Sequence, residues 1–293
     1  APADLYLHAL TWFNGQADLT GNADVRINAS IVDNGAGGAV SLVIAGATGR
    51  GAAFVGTNDV FINGSNTYTG GTFVNSGQVR LNNASADGTT VFAIPGDLTI
   101  TGGYGNNSGA LFNDRTSTVF LEFDSQINET ATLTLMGGGI LNLNGNNQTV
   151  ASLIFNNHGG TTPQVTTGLG TLTLTGSSIP ASGQNVSSNA TSTIDGKIAF
   201  AAPTTTITVN PVEWNSTVLN PILPNLIINA SIEGGDIIKA GTGVLRLNGA
   251  NAWSGNFDLQ SGGLLLGNNS ALSGGTLTIG NNTFLSSTAD NRI

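Results

Sequence analysis

Cleaving a polysaccharide by hydrolysis or elimination takes paired carboxylates, or a carboxylate with an Arg or Lys base, on one face of a fold. The densest group of that kind is Asp114, Arg115, Glu122, Asp124 and Glu129, where positions 122 and 124 would share a face on a strand. The other acids, among them Asp33, Asp59, Asp87, Asp97, Asp195, Glu213, Glu233, Asp236 and Asp258, stand mostly beside Gly or Asn. Turn chemistry and solubility account for them there. His8 and His158 are the only histidines, so a multi-histidine metal site is excluded and a Ser-His-Asp triad would rest on one of them. His158 stands in Asn156-Asn157-His158-Gly159-Gly160, which reads as a loop. With no cysteine there is neither a disulfide framework nor a thiolate metal site, and no repeated Gly-Gly-x-Gly-x-Asp array offers calcium ligands. No catalytic, cofactor-binding or metal-ligating residue is assigned on this reading.

Asn-x-Ser/Thr triplets begin at Asn28, Asn63, Asn128, Asn189, Asn215 and Asn229 among others, a number that chance produces in a chain this rich in Asn, Ser and Thr. Tyr68, Trp214 and Trp253 have rings that stack on sugars, but Tyr68 and Trp253 occupy equivalent repeat positions and are expected in the core or packed on a turn. Charged residues make up only 9% of the chain, against about 25% in an ordinary soluble protein, so Asn, Thr, Ser and Gly must supply the polar surface. The net charge is −9 and the eight basic residues are scattered, which argues against a nucleic-acid partner. No apolar run reaches the roughly 18–20 residues of a membrane-spanning helix. The opening Ala1-Pro2-Ala3 fits the end left by signal-peptide removal and an arbitrary boundary equally well.

What would position any site is a set of short strands. Ala131-Thr132-Leu133-Thr134-Leu135, Gly170-Thr171-Leu172-Thr173-Leu174 and Gly275-Thr276-Leu277-Thr278-Ile279 alternate apolar and polar residues with the period of a half-buried strand. Gly or Pro interrupts nearly every window long enough for a helix. Many short strands make either a sandwich or barrel of hairpins, or a solenoid of parallel coils. Internal repetition favours the solenoid. Val60-Phe61-Ile62-Asn63-Gly64-Ser65-Asn66-Thr67-Tyr68-Thr69-Gly70 aligns without a gap on Leu245-Arg246-Leu247-Asn248-Gly249-Ala250-Asn251-Ala252-Trp253-Ser254-Gly255. Ile27-Asn28-Ala29-Ser30-Ile31 recurs as Ile228-Asn229-Ala230-Ser231-Ile232. The expectation is one all-β solenoid over residues 1–293, with a duplicated unit at about 24–102 and 225–285 and an irregular middle around 177–224. At roughly 20–25 residues per coil the chain makes about 12–14 coils and a body ~60 Å long.

The segment Lys239-Ala240-Gly241-Thr242-Gly243-Val244-Leu245-Arg246-Leu247-Asn248-Gly249-Ala250-Asn251-Ala252-Trp253-Ser254-Gly255 resembles the autotransporter-associated β-strand repeat, K-x-G-x-G-x-L-x-L-x-G-x-N-x-aromatic-x-G. Gly64, Asn66, Tyr68 and Gly70 match its second half, as do Gly249, Asn251, Trp253 and Gly255. Clear matches cover about a third of the chain. The resemblance implies a right-handed parallel β-helix (β-solenoid) from a large secreted or surface-displayed bacterial protein. It departs from the exporting members of that family in showing no C-terminal run of membrane-barrel strands.

A solenoid leaves an open strand edge at each end, normally covered by a polar cap. The N-terminal stretch carries Leu5, Tyr6, Leu7, Leu10, Trp12 and Phe13, which suits strand exchange better than capping. Residues 1–13 are therefore expected either to complete a neighbour's sheet or to form a first coil. The functional expectation is an extracellular or cell-surface structural or adhesive protein that associates with itself end to end into fibres, with surface glycans as a further class of partner. Its rivals are a polysaccharide lyase or hydrolase, which requires three or more carboxylates along one groove, and a carbohydrate-binding module, which requires a row of exposed aromatics.

Overall fold

The computed structural model describes residues 1–9, 24–46, 59–102, 117–157, 162–184, 191–219, 221–272 and 274–287. Among them there is no helix, and every strand pairing is parallel except one, between Glu213-Trp214 and Thr217-Val218. Otherwise each strand pairs in parallel with one a turn away along the chain rather than folding back on its neighbour, which is the mark of a coil and not of a hairpin. The solenoid expectation thus holds.

One long sheet runs from Ala3–Ala9 through Val40–Gly46, the first half of Thr72–Leu81, Leu98–Thr101, Thr132–Met136, Ser152–Asn156, Ser178–Gln184, Thr204–Trp214, Asp236–Ala240 and Phe257–Leu259 to Leu277–Ile279. A second runs from Val25–Ile27 through Asp59–Ile62, the second half of Thr72–Leu81, Ser117–Leu121, Ile140–Asn142, Gln164–Thr166, Ser192–Asp195, Pro224–Ile228, Val244–Leu247 and Gly263–Leu266 to Phe284–Ser287. The two meet where Thr72–Leu81 bends from one into the other. In the middle of the molecule a third, four-stranded sheet closes the coil: Gln148–Val150, Leu172–Leu174, Lys197–Phe200 and Ser231–Glu233.

Among the described residues each long sheet holds eleven strands. The coils are uneven: Asn63 and Asn82, one above the other, are 19 residues apart, whereas Asn28 and Asn63 are 35 apart.

Alternation explains the core. In the second sheet Val60 and Ile62 stack on Val79 and Leu81, then Val119 and Leu121, and further along Leu245 and Leu247 stack on Leu264 and Leu266. All of these are buried, each contributing about 1.5–3 kcal/mol by leaving water. A parallel ladder fixes the register, because slipping by one residue would turn the whole apolar column to solvent. Leu5 lies over Leu42 and Ile279 over Leu259, and Leu5 and Ile279 are exposed. The strand Ala3–Ala9 pairs in the coil with Val40–Gly46. Leu10, Trp12 and Phe13 lie outside the described residues.

Candidate functional site

The residues that recur between the two copies converge on one device, a clamp between successive coils. The Asn66 side chain is buried, its Oδ1 accepting from the backbone N–H of Ile31 at 2.8 Å and its Nδ2 donating to the carbonyl of Ala93 at 2.7 Å. Asn251 repeats this pattern, accepting from Ile232 N–H at 2.8 Å and donating to the Ala271 carbonyl at 2.8 Å. Each asparagine ties the coil before to the coil after, satisfying two interior backbone groups that no water reaches. Their surroundings are therefore equivalent, as in-register stacking requires.

The glycines at the same places allow the approach. A Cβ on Gly64 would run into the Ala29 carbonyl, and one on Gly249 into the Ala230 carbonyl. Gly70 and Gly255 are pressed likewise on the backbone at Val40 and Gly235, and the Gly70 N–H donates to the Val40 carbonyl at 3.0 Å. Tyr68 and Trp253 are buried. Burial pushes the Tyr68 phenol well above its usual range, partly offset by a 2.5 Å hydrogen bond with the Thr72 hydroxyl. Trp253 packs at 6.3 Å on Phe257. Outside the turn an asparagine ladder repeats too: Asn82 donates to Asn63 and Asn63 to Asn28, while Asn248 donates to Asn229 and Asn229 to Asp195.

Lys239 is the least expected member. It points into the solenoid with no exposed surface, and its ammonium donates to the carbonyls of Ala240, Gly241 and Ser261 at 2.9, 2.8 and 3.0 Å. Three donors thus meet three acceptors. Burial lowers its pKa from 10.5 to about 8. Because the folded chain then holds fewer protons than the unfolded one between those values, stability rises as pH climbs from about 8 to about 10.5. The gain is at most about 3 kcal/mol, since the carbonyl dipoles favour the charged form and oppose the shift. Denaturation midpoints across this range are expected to show that rise for the wild type relative to Lys239→Met. Parallel profiles for the two proteins would contradict it.

Most acids stand apart, but Asp24, Asp59 and Glu122 are linked along the second sheet, where Asp24 pairs with Arg26 and accepts from the Asp59 backbone N–H at 3.3 Å. The expectation that Glu122 and Asp124 share a strand face fails, because the strand ends at Leu121. Glu122 pairs with Arg80 at 2.5 Å, and Arg80 also pairs with Asp59, whereas Asp124 accepts from the Asn147 backbone N–H at 2.7 Å. Asp114, Arg115 and His158 lie outside the described residues. Asp33 has its pKa lowered by the Thr69 backbone N–H, the Thr69 hydroxyl and the Val40 N–H. Asp87 is lowered further by the Thr90 hydroxyl and the N–H groups of Thr90, Val91 and Thr89. Both are turn acids. On the outer face of the second sheet, Arg26 lies 3.8 Å over the Phe61 ring and Arg80 4.7 Å over Phe120, so basic residues that look scattered in sequence form a cation–π column. Only the register, which aligns positions 26, 61, 80 and 120, reveals this column.

Among the described residues no cluster of three or more metal-ligating side chains occurs, and none forms a helix able to cross a membrane. A groove of about 180 Å³ is lined by Ser182, Gly183, Asn210, Pro211, Glu213 and Thr242, with a single carboxylate. No curated protein and no solved structure matches the chain. Residues 55–81 and 237–266, which contain the duplicated strand and turn, match the model of the passenger-associated-transport-repeat, so the chain carries, in two copies, a repeat associated with autotransporter passengers.

Proposed function

We propose that the chain is a structural, adhesive β-helix displayed outside the cell, joining end to end with further copies of itself. One observation carries this reading: the Asn and Gly residues repeated between the two copies hold coil to coil, and the Tyr and Trp beside them are buried. Asn66, Asn251, Gly64, Gly249, Tyr68 and Trp253 leave nothing free for a substrate. The carboxylates that come together are held in ion pairs, Asp59 and Glu122 by Arg80, and Asp24, which accepts from the Asp59 N–H, by Arg26, which supports this reading over a lyase or hydrolase. The burial of Tyr68 and Trp253 weighs against a row of sugar-stacking aromatics.

Self-association uses the open rung. Ala3–Ala9 pairs along one edge with Val40–Gly46, and along its other edge has no partner among the described residues. A strand added there from a second copy would continue the ladder in parallel, with Leu5 covered. Deleting residues 1–13 is expected to reduce the particles seen by sedimentation velocity and electron microscopy from chains of rods to single rods. Assemblies of unchanged size after deletion would reject strand addition at this end, and globular, unassembled wild-type particles would reject the fibre altogether.

A further inference from the structure

The coil path is broken once among the described residues, at the antiparallel pairing of Thr204–Trp214 with Thr217–Val218. Trp214 lies opposite Thr217. The two residues between them, Asn215 and Ser216, have φ of 47° and 61°, the left-handed pair of a tight two-residue hairpin turn. Asn215-Ser216-Thr217 is also an Asn-x-Thr acceptor triplet, and all three residues are exposed.

Among the described residues the structure separates this triplet from the others, while those at Asn106, Asn185 and Asn189 lie outside them. On the coils, the side-chain amides are occupied: Asn63 donates to Asn28, Asn128 to the Pro95 carbonyl, Asn147 to Asp124 and Asn229 to Asp195. The side-chain carbonyls of Asn28 and Asn268 accept from Asn63 and from the Ser270 N–H. At Asn281-Asn282-Thr283 the threonine hydroxyl donates to the Gly280 carbonyl and its residue is half-buried. Among the described residues, Asn215 alone joins an amide unengaged at both its oxygen and its nitrogen to an exposed hydroxyl two residues on and a projecting turn. Beside it the same excursion exposes Trp214, Val218, Ile222 and Leu223, at 44%, 36%, 69% and 43%. Four large apolar side chains exposed on one excursion call for a cover, and the C–H face of a sugar ring fits an indole.

We propose that Asn215 is the acceptor of an N-linked sugar that lies against Trp214. In the transfer, the Asn215 Nδ2 attacks the anomeric carbon of a sugar activated as its nucleotide or lipid pyrophosphate. The new C–N bond replaces the C–O bond, the pyrophosphate departs with the bonding electrons, and one Nδ2 proton passes to a base on the transferring enzyme. The test is peptide mass spectrometry of the chain recovered from the cells that make it. The peptide containing Asn215 is expected to carry a mass increment of whole sugar residues, those containing Asn63 and Asn229 none, and both Asn215→Gln and Thr217→Ala are expected to lose it while keeping the β-sheet circular-dichroism spectrum. An unmodified Asn215, or equal occupancy at Asn63 and Asn229, would overturn the assignment.

Discussion

Replacing Asn66 by alanine is expected to destabilise the coils around it by about 3–5 kcal/mol, because the change strands two buried backbone groups at once. The Ile31 N–H and the Ala93 carbonyl lose the only side chain that reaches them, each such loss costing about 1–3 kcal/mol, and the space vacated adds a smaller amount. Asn251→Ala should do the same to Ile232 and Ala271. In a solenoid, where each coil touches only its neighbours, the damage is local. Hydrogen exchange should therefore accelerate by at least about a hundredfold in the coils either side of the substituted turn and much less elsewhere. Asn248→Ala is the control. Its amide donates to Asn229 in the exposed outer ladder and accepts from Arg246 Nε at 2.7 Å, both side-chain partners at the surface that water replaces, so about 1 kcal/mol or less is expected. Equal effects at Asn248 and Asn251 would show that the inner asparagines are not clamps.

Gly249→Ala should be nearly as damaging, through sterics rather than hydrogen bonding. Its new Cβ collides with the Ala230 carbonyl of the coil before, a backbone atom that cannot rotate away. Relieving the collision separates two coils along ladder hydrogen bonds that include Asn248 N–H to the Ile228 carbonyl at 2.8 Å. Forced overpacking of this kind costs about 1–3 kcal/mol or more, so the guanidinium midpoint should fall clearly. Gly274→Ala, at an exposed turn with open space around the built Cβ, should leave it within about 0.5 kcal/mol of wild type. A neutral Gly249→Ala would mean that coils pack more loosely at this turn than the repeat requires.

How much of this was legible in the chain depends on how local each cause is. The strands and their inward faces follow from alternation within four or five residues, as in Thr132–Met136. The parallel coil followed from a duplication that any hairpin fold would leave unexplained. The clamps were visible as repeated Asn and Gly, but not their partners, because Asn66 reaches Ile31 across 35 residues and Ala93 across 27, intervals set by turns of irregular length. For the same reason Arg80 could not be joined in advance to Asp59 and Glu122, 21 and 42 residues away. Glu122 and Asp124 illustrate the reverse error: a period-two spacing implies a shared face only inside a strand, and this one had already ended at Leu121. Lys239 stood out only as part of the repeat motif, since a lysine in an alternating segment reads as surface until its strand is seen to bury positions 237 and 239.

In-register stacking can be measured directly, because the chain has no cysteine and spin labels can be placed in pairs without interference. Ile140, Gln164, Thr193, Ile227, Arg246 and Leu265 form one column of the second sheet, each the partner of the next. Labels at Ile140 and Leu265 should give a sharp separation of ~24 Å, and moving the first label to Gln164 should shorten it by ~5 Å, the spacing of one rung. Separations that do not shorten by a rung, or that spread into a broad distribution, would contradict the stacked parallel coil.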